Sequence, residues 1–434
     1  MPDPANMLAT ADQFRLEQIA LAILDQPEMQ AQLEASIALC LAAPQAAGAD
    51  GQRTLRSMVE ELAGWAAMNA ATSDTHRPGL VWTITPPRIW NGYRVPGTRW
   101  IFDNPDNVYR YFVLDGASSY RLTCRPNGPR GSFSVLVYSY FTGEEGKKME
   151  GAHAGLLEKD MVEDGDGAIV ITFDGEPANG RPNHLHIQPD ARLVMIREAL
   201  CDWVAQRPQQ MTIERVGGPP LNPPTTLAEM TAFAVKLLAD ATITVINFES
   251  RYSPLPTNAF AKTVKRSAGF GLIKLCRFDL AEDEALVVTA EDLGGKYHAA
   301  SVDTPWLVTV EHVHRNGSLN NGQVSRNADG SCTYVLSPRD PGVANWLDTN
   351  GLNQGGLAIR WEGLAAPVED PDAAIREMRV VKLAELDSVL PAGIRRVSAD
   401  ERRAIAEARA ASWQNRVGGL PCEPLAGFDV EGGQ

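Results

Sequence analysis

Cysteine is sparse: there are six in 434 residues, and none forms a CxxC pair. Cys40, Cys124, Cys201, Cys276, Cys332 and Cys422 lie too far apart for a disulfide framework or a zinc ribbon. Free thiols packed as small hydrophobes are expected instead. Long apolar runs are missing too, since no window reaches the roughly 18 residues that a membrane helix needs. The start, Met1-Pro2-Asp3-Pro4, has neither the basic end nor the apolar stretch of a secretory signal, so a cytoplasmic location is expected. Positive charge is in deficit: 40 Lys and Arg stand against 54 Asp and Glu, a net charge of −14. Without a basic stripe, nucleic acid and membrane surfaces are not expected partners. No G-x-S-x-G elbow, Walker A loop or HExxH occurs, and Gly269-Phe270-Gly271 lacks the third glycine of a dinucleotide fingerprint.

What is present divides into helical ends and a β-rich middle. Residues 12–46 and 50–74 are predicted helical. In the second, Leu55, Met58, Val59, Leu62, Trp65, Ala66 and Met68 recur at three- and four-residue spacing and give one apolar face. Short β-type runs follow, such as Val108 to Leu114, Tyr120 to Cys124, Ser132 to Tyr140 and Ala168 to Phe173. The stretch Gly217-Gly218-Pro219-Pro220-Leu221-Asn222-Pro223-Pro224 reads as a linker, and Thr225 or Thr226 opens a helix to Leu238. A second β-rich run extends from 270 to 385. Ser398-Ala399-Asp400-Glu401 has capping-box spacing and starts a closing helix. The expected organisation is a helical segment (1–80), a first β module (81–216), a Pro-rich linker with a helix (217–245), a second β module (246–390) and a C-terminal helix and tail (391–434).

The two β modules repeat one another. Asp115-Gly116 before Tyr120-Arg121-Leu122 parallels Asp279-Leu280 before Glu284-Ala285-Leu286. Asp166-Gly167-Ala168 parallels Asp329-Gly330-Ser331, Asn183-His184-Leu185 parallels Asn345-Trp346-Leu347, and Leu193 to Arg197 answers Gly356 to Arg360. Asp115 to Arg197 spans 82 positions and Asp279 to Arg360 spans 81. That period is too long for a solenoid and implies a duplicated domain. The Asp-Gly steps suit hairpin turns. The fold class is therefore mainly β with flanking helices (α+β): two tandem β-sandwich or jelly-roll-like modules from an internal duplication.

In the second copy these residues resemble the domain-of-unknown-function 1214 family. Asp329-Gly330-Ser331 leads to Ser337-Pro338-Arg339-Asp340-Pro341-Gly342, then Asn345-Trp346-Leu347-Asp348, then Leu357-Ala358-Ile359-Arg360-Trp361. The first copy keeps the Asn and Arg but has His184 in place of the Trp. The resemblance implies sandwich architecture and a bacterial homo-oligomer. It implies no reaction.

Chemistry is expected at two H-x-H pairs, His184-Leu185-His186 and His312-Val313-His314. Residues i and i+2 of a strand share a face. If Leu307 to His314 is a strand, His312 and His314 lie with Val308 and Val310 on one face and Glu311 opposes them. Three roles are open: acid/base or hydrogen-bonding groups, structural histidines, or ligands of Zn or Fe. Arg197 and Arg360 end apolar strands and are read either as an anion or carbonyl clamp or as structural ion-pair hubs. Trp90, Tyr93 and Trp100, with Tyr138 and Tyr140 further on, are read either as core or as the lining of an apolar cleft.

The leading expectation is an enzyme acting on a hydrophobic, aromatic or isoprenoid-like small molecule by lyase-type or proton-transfer chemistry without an organic cofactor. His312, His314, Tyr138 and Arg360 would be catalytic, and Trp90, Tyr93, Trp100, Tyr140, His184, His186 and Arg197 would hold substrate. A metal-dependent hydrolase or oxygenase using the H-x-H pairs, with Zn or Fe at His312 and His314, and a non-enzymatic carbohydrate or small-ligand binding protein, are the alternatives.

Overall fold

A computed structural model describes residues 8–90, 92–144, 152–252, 254–266 and 269–416. Cys422 and the Met1-Pro2-Asp3-Pro4 start lie outside the described residues. The five described cysteines are free, and four of them are buried.

The N-terminal helices are α1 (Ala11–Leu24), α2 (Pro27–Leu41) and α3 (Ala49–Ala71). The single helix expected over 12–46 is thus two. Pro27 occupies the first position of α2, where its missing N–H costs nothing, and it cannot continue α1. The Thr10 hydroxyl caps α1 by accepting from the Gln13 N–H. The apolar stripe of α3 is buried as expected, from Leu55 through Met68.

The first β module runs from β1 (Val81–Thr83) and the hairpin β2 (Arg88–Trp90) and β3 (Tyr93–Val95) to β4 (Asn107–Val113), β5 (Ser119–Arg125), β6 (Ser132–Tyr138) and β7 (Ala152–Leu157). It closes with β8 (Ile169–Asp174), β9 (His184–His186), β10 (Leu193–Ala199) and β11 (Gln210–Gly217). Helix α4 (Leu227–Ile246) begins with the capping box of Thr226 and Glu229 and packs back against α3 and α2. The linker helix therefore completes the N-terminal bundle. The short α5 (Phe248–Arg251) follows it.

The second module comprises β12 (Val264–Lys265), β13 (Gly271–Asp279), β14 (Glu284–Ala290), β15 (Tyr297–Asp303), β16 (Ser318–Asn320), β17 (Cys332–Ser337), β18 (Trp346–Asp348), β19 (Gln354–Glu362) and β20 (Ile375–Lys382). Helix α6 (Ala399–Arg416) closes the described chain, and Ser398 and Glu401 exchange the expected capping bonds.

Both modules are two-sheet sandwiches with one strand order. The five-stranded sheets run β1-β4-β10-β6-β7 and β12-β13-β19-β15-β16. The four-stranded sheets run β11-β5-β8-β9 and β20-β14-β17-β18, and the last pair is parallel in both. The two modules therefore share one strand topology. Asn183 and Asn345 do the same work in the two copies. The first clamps the N–H and C=O of Val162 at 2.8 and 2.6 Å, and the second clamps those of Ser325 at 2.7 Å each.

Each sandwich has its own core, with Phe112, Val135, Phe173 and Ile196 in the first and Cys276, Leu336, Ile359 and Trp361 in the second. A third and larger core joins the helices to the outer faces of both five-stranded sheets, taking in Tyr111, Met195, Ile273 and Ala358. Those sheets are therefore covered on both sides, and β4 and β10 are buried at every position. The four-stranded sheet of the first module keeps one wet face and alternates, as in β8, whereas β14 and β17 of the second are buried almost throughout, their outer face covered by Val343 and Leu386.

Residues 96–106 weld the modules together. Arg99 donates to the Thr309 carbonyl at 2.7 Å and pairs with Glu61, while the Tyr297 phenol reaches Asn104 and Asp106 at 2.7 Å each. A Cβ on Gly64 would come within 2.5 Å of the Gly97 carbonyl, so a glycine in α3 is what lets this segment approach. From the other side, Trp413 of α6 packs edge-on to both Trp203 and His312. Among the described residues no helix is long and apolar enough to cross a membrane.

Candidate functional site

Successive residues of a strand point to opposite faces, so Leu193, Met195 and Arg197 of β10 share the face that looks away from the first sandwich's core. Arg197 lies opposite Tyr109 of β4 and Ser134 of β6, and Tyr138 lies opposite Leu193 in the same sheet. This places a guanidinium and the phenols of Tyr109, Tyr111 and Tyr138 on one buried surface, where each bears on the Arg197 charge. The second module contributes the remainder. The Phe270 ring lies 4.4 Å from the Arg197 guanidinium, and the Arg266 guanidinium lies 4.9 Å from the same ring. Two cations thus share one aromatic ring.

Arg197 is 7% exposed, and its Nε and Nη1 meet no acceptor among the described residues. Burial, then the charges of Arg197 and Arg360, hold the Arg266 guanidinium below its usual pKa. Glu362 is the carboxylate that all three arginines act on, and burial lifts it above the usual carboxylate range despite them. Tyr111 is pushed well above its usual value by burial, so it stays a neutral donor. The arrangement can receive an anion: it offers guanidinium N–H groups in a dry setting, with neutral phenols beside them.

Arg360 occupies the matching place in the second module, opposite Ile273 of β13 and Ala299 of β15. Its environment is closed. Nη1 donates to the Ser301 hydroxyl at 2.7 Å and Nη2 to the Phe102 carbonyl. Asp303, fully buried nearby, has no hydrogen-bond partner on either carboxyl oxygen among the described residues, and burial pushes its pKa far up.

Three of the sequence-derived site residues, Tyr138, Arg197 and Arg360, therefore gather around the junction of the two modules. His312 and His314 do not join them. The expected strand over 307–314 is an irregular loop whose only ladder contact is a bridge between Asp303 and Thr309. Glu311 does not point away from the histidines: its carboxylate is buried and accepts from the Val313 and His314 N–H groups, which bends the chain. His312 is buried with Nδ1 3.1 Å from the Val310 carbonyl, and its Nε2 is the ring nitrogen left over. The crevice beside it and Trp413 measures about 10 Å³, room for one water. Burial, then the Arg99 charge, lowers the His312 pKa to about 3. His314 is partly exposed beside Glu311. Among the described residues no group of three or more His, Cys, Asp or Glu converges on a point where a metal could sit.

The other expected substrate contacts are dispersed. The Trp90 indole and Tyr93 phenol donate to Glu17 at 2.7 and 2.6 Å, and Arg88 pairs with the same carboxylate, which locks the β2–β3 hairpin to α1. The Trp100 ring lies 4.4 Å from that of Trp65 in the helix core. Tyr140 is half-buried beside Tyr252. His184 is held by Thr172 at 2.8 Å and the Glu176 carbonyl at 2.9 Å at the outer edge of the first sandwich, and His186 next to it is exposed.

Sequence reasoning missed Arg266, Phe270 and Glu362. Glu362 had a signal, because it follows Arg360 by two residues on an apolar strand and so shares its face. Arg266 had none, since nothing in the sequence brings it near Arg197.

Comparison with known proteins agrees with this architecture. A crystal structure of an uncharacterised protein from Burkholderia cenocepacia superposes with a TM-score of 0.68 at 24% identity, over 84% of this chain and 99% of that one. That likeness shows the fold. The VPA0106 protein from Vibrio parahaemolyticus aligns at 11% identity and a TM-score of 0.41, over 75% of this chain and 99% of its own. No curated protein matches the sequence. The family described as "Protein of unknown function (DUF1214)" matches residues 301–361, from β15 to β19 of the second sandwich. The likeness to that family rests on this segment of the second sandwich.

Proposed function

We propose that this protein is an enzyme whose substrate is a small anion with an apolar, aromatic body, held where Arg197 meets Phe270 and the phenols of Tyr109, Tyr111 and Tyr138. One observation carries the reading. A guanidinium that is 7% exposed leaves Nε and Nη1 without acceptors among the described residues. A buried donor left unpaired costs about 1–3 kcal/mol, and more when charged. A ligand carboxylate or similar oxyanion would remove that cost with a forked pair of charge-assisted bonds.

Lyase-type or proton-transfer chemistry suits such a place, because negative charge growing on the substrate would be stabilised by Arg197, Arg266 and Arg360. Glu362, held above its usual range by burial, is the group suited to take and return a proton. His312 and His314 have no part in this version. A cytoplasmic location and self-association go with the proposal on sequence grounds alone.

The test is a thermal-shift and calorimetric series with benzoate, phenylacetate and phenyl phosphate against benzamide and benzyl alcohol. A native-state ligand at a hundred times its Kd adds about 2.7 kcal/mol of stability. The anions should stabilise the protein and the neutral analogues should not, and Arg197→Met should erase the difference. Equal response to both sets, or an undiminished response in Arg197→Met, would rule the reading out.

A further inference from the structure

The end of the first sandwich nearest α4 holds a hollow of about 580 Å³ that is separate from the Arg197 contacts. Val113, Phe141 and Phe233 give it apolar walls, and Ser139, Asp190 and Arg192 supply its polar groups. Ser139 and Arg192 are neighbours across the ladder. Tyr138 pairs with Leu193, and the Arg192 N–H donates to the Tyr138 carbonyl at 2.9 Å, so the next residues out meet side by side. Glu144 fixes the Arg192 guanidinium through contacts of 2.8 and 2.9 Å, over the rings of Phe141 and Phe233.

The Ser139 hydroxyl also lies 3.1 Å from Nδ1 of His153 on β7, where a bulge interrupts the β6–β7 ladder. Partial desolvation holds the half-exposed His153 imidazole below its ordinary pKa, with Asp190 opposing that shift. At neutral pH the ring is therefore uncharged and has a lone pair to accept a proton. A hydroxyl, a carboxylate and a fixed guanidinium thus line the hollow, and a neutral imidazole meets that hydroxyl from β7.

We propose that Ser139 is a nucleophile, that His153 is its base, and that the hollow accepts a small acyl ester. In the first step Oγ bonds to the ester carbonyl carbon while its proton passes to Nδ1 of His153. The carbonyl electron pair moves onto oxygen, where the Arg192 charge stabilises it. Collapse of this intermediate breaks the bond to the alkoxide, which leaves as the alcohol with the proton from His153. Water, deprotonated by the same imidazole, then cleaves the acyl-serine and releases the acid. The Asp190 carboxylate stabilises the transient imidazolium. The two steps consume one ester and one water, and need no oxidant or reductant.

The proposal is independent of the Arg197 site and is tested on the full-length protein. The probes are p-nitrophenyl acetate and butyrate for turnover, and a fluorophosphonate for covalent trapping with peptide mapping by mass spectrometry. Labelling should fall on Ser139 in native protein and vanish after denaturation. Ser139→Ala and His153→Gln should each lower nitrophenol release about 100-fold or more, with melting temperatures unchanged because both side chains sit at the surface. The wild-type rate should rise with pH as His153 loses its proton, and His153→Gln should flatten that rise. Labelling at a different residue, or wild-type turnover in Ser139→Ala, overturns the proposal.

Discussion

Arg197 and Arg360 stand at the same register position of matching strands, yet one guanidinium is tied down and the other is not. Arg360 gives its protons to Ser301 and to the Phe102 carbonyl. Among the described residues Nε and Nη1 of Arg197 meet no acceptor, and the guanidinium lies against Phe270 at 4.4 Å and Tyr109 at 5.8 Å. The difference originates in the connections before β4 and β13. The long connection between β1 and β4 lays Phe102 over Arg360, whereas the short one after β12 brings Arg266 and Phe270 to Arg197. Each module thus covers the arginine of the other, and only one cover supplies acceptors.

This asymmetry separates two substitutions that look alike on paper. Arg360→Met should lower stability by about 2–4 kcal/mol, because it strands the buried acceptors at Ser301 and Phe102. Arg197→Met removes a buried cation with unpaired N–H groups and keeps much of the side chain's packing. We expect it to leave the ligand-free protein unchanged or more stable by about 1–2 kcal/mol. Urea unfolding of both variants measures the contrast, and an equal loss in the two would contradict it.

Ligand response should be similarly selective. His312 is sealed under Trp413 and His314 lies beside Glu311, so neither reaches the phenols around Arg197. His314→Ala should retain the stabilisation produced by an aromatic carboxylate, whereas Arg197→Met should lose it. Titration calorimetry on the two variants checks this, and a tenfold weaker Kd in His314→Ala would return the histidine to the site.

Much of the fold was legible in the chain. Helix α3 emerged from its apolar stripe, α4 and α6 from their capping residues, and the pair of like sandwiches from the spacing between Asp115 and Arg197 and between Asp279 and Arg360. The failures have physical causes. Val308, Val310 and His312 alternate like a strand, but the Glu311 carboxylate captures two backbone N–H groups and turns the chain. Burial of that loop is completed by α6, about 100 residues later in the sequence. The candidate site was half legible. Arg197, Arg360 and Tyr138 stood out as charge or phenol on apolar strands, while Arg266 and Phe270 arrive from the other module and carry no local signal.

The paired asparagines offer a second internal comparison. Asn183 and Asn345 each satisfy a backbone N–H and C=O of a distant loop, and Asn345 adds a bond to the Thr333 carbonyl at 3.0 Å. Replacing either by Ala leaves a part-buried backbone N–H and C=O unpaired, at a cost of about 1–2 kcal/mol. Asn345→Ala should be the more damaging, since it is 2% exposed against 7% for Asn183 and loses three bonds rather than two. Denaturant midpoints read the order directly.

Acid sensitivity should originate in the second sandwich's core. His298 is fully buried, its ring stacked 5.3 Å from Trp361 at an interplanar angle of 7°. Burial, and then the charge of Arg326, lowers its pKa from 6.5 to about 3. Between those values the unfolded chain binds a proton that the native chain refuses. The stability from keeping His298 neutral is therefore complete above about pH 6.5 and declines as pH falls towards 3. One such group gives a slope of about 1.4 kcal/mol per pH unit within that window. His298→Phe keeps the stacked ring and removes the titration, so the slope of unfolding free energy between pH 4 and 6 should fall by nearly one proton. His312, lowered to about 3 by its own burial and the Arg99 charge, adds a second increment that survives in that variant. An unaltered slope in His298→Phe would mean that His298 is protonated in the native protein, and the stacked, desolvated ring would then need a counter-charge closer than Asp292, whose nearest oxygen is 3.9 Å from Nδ1.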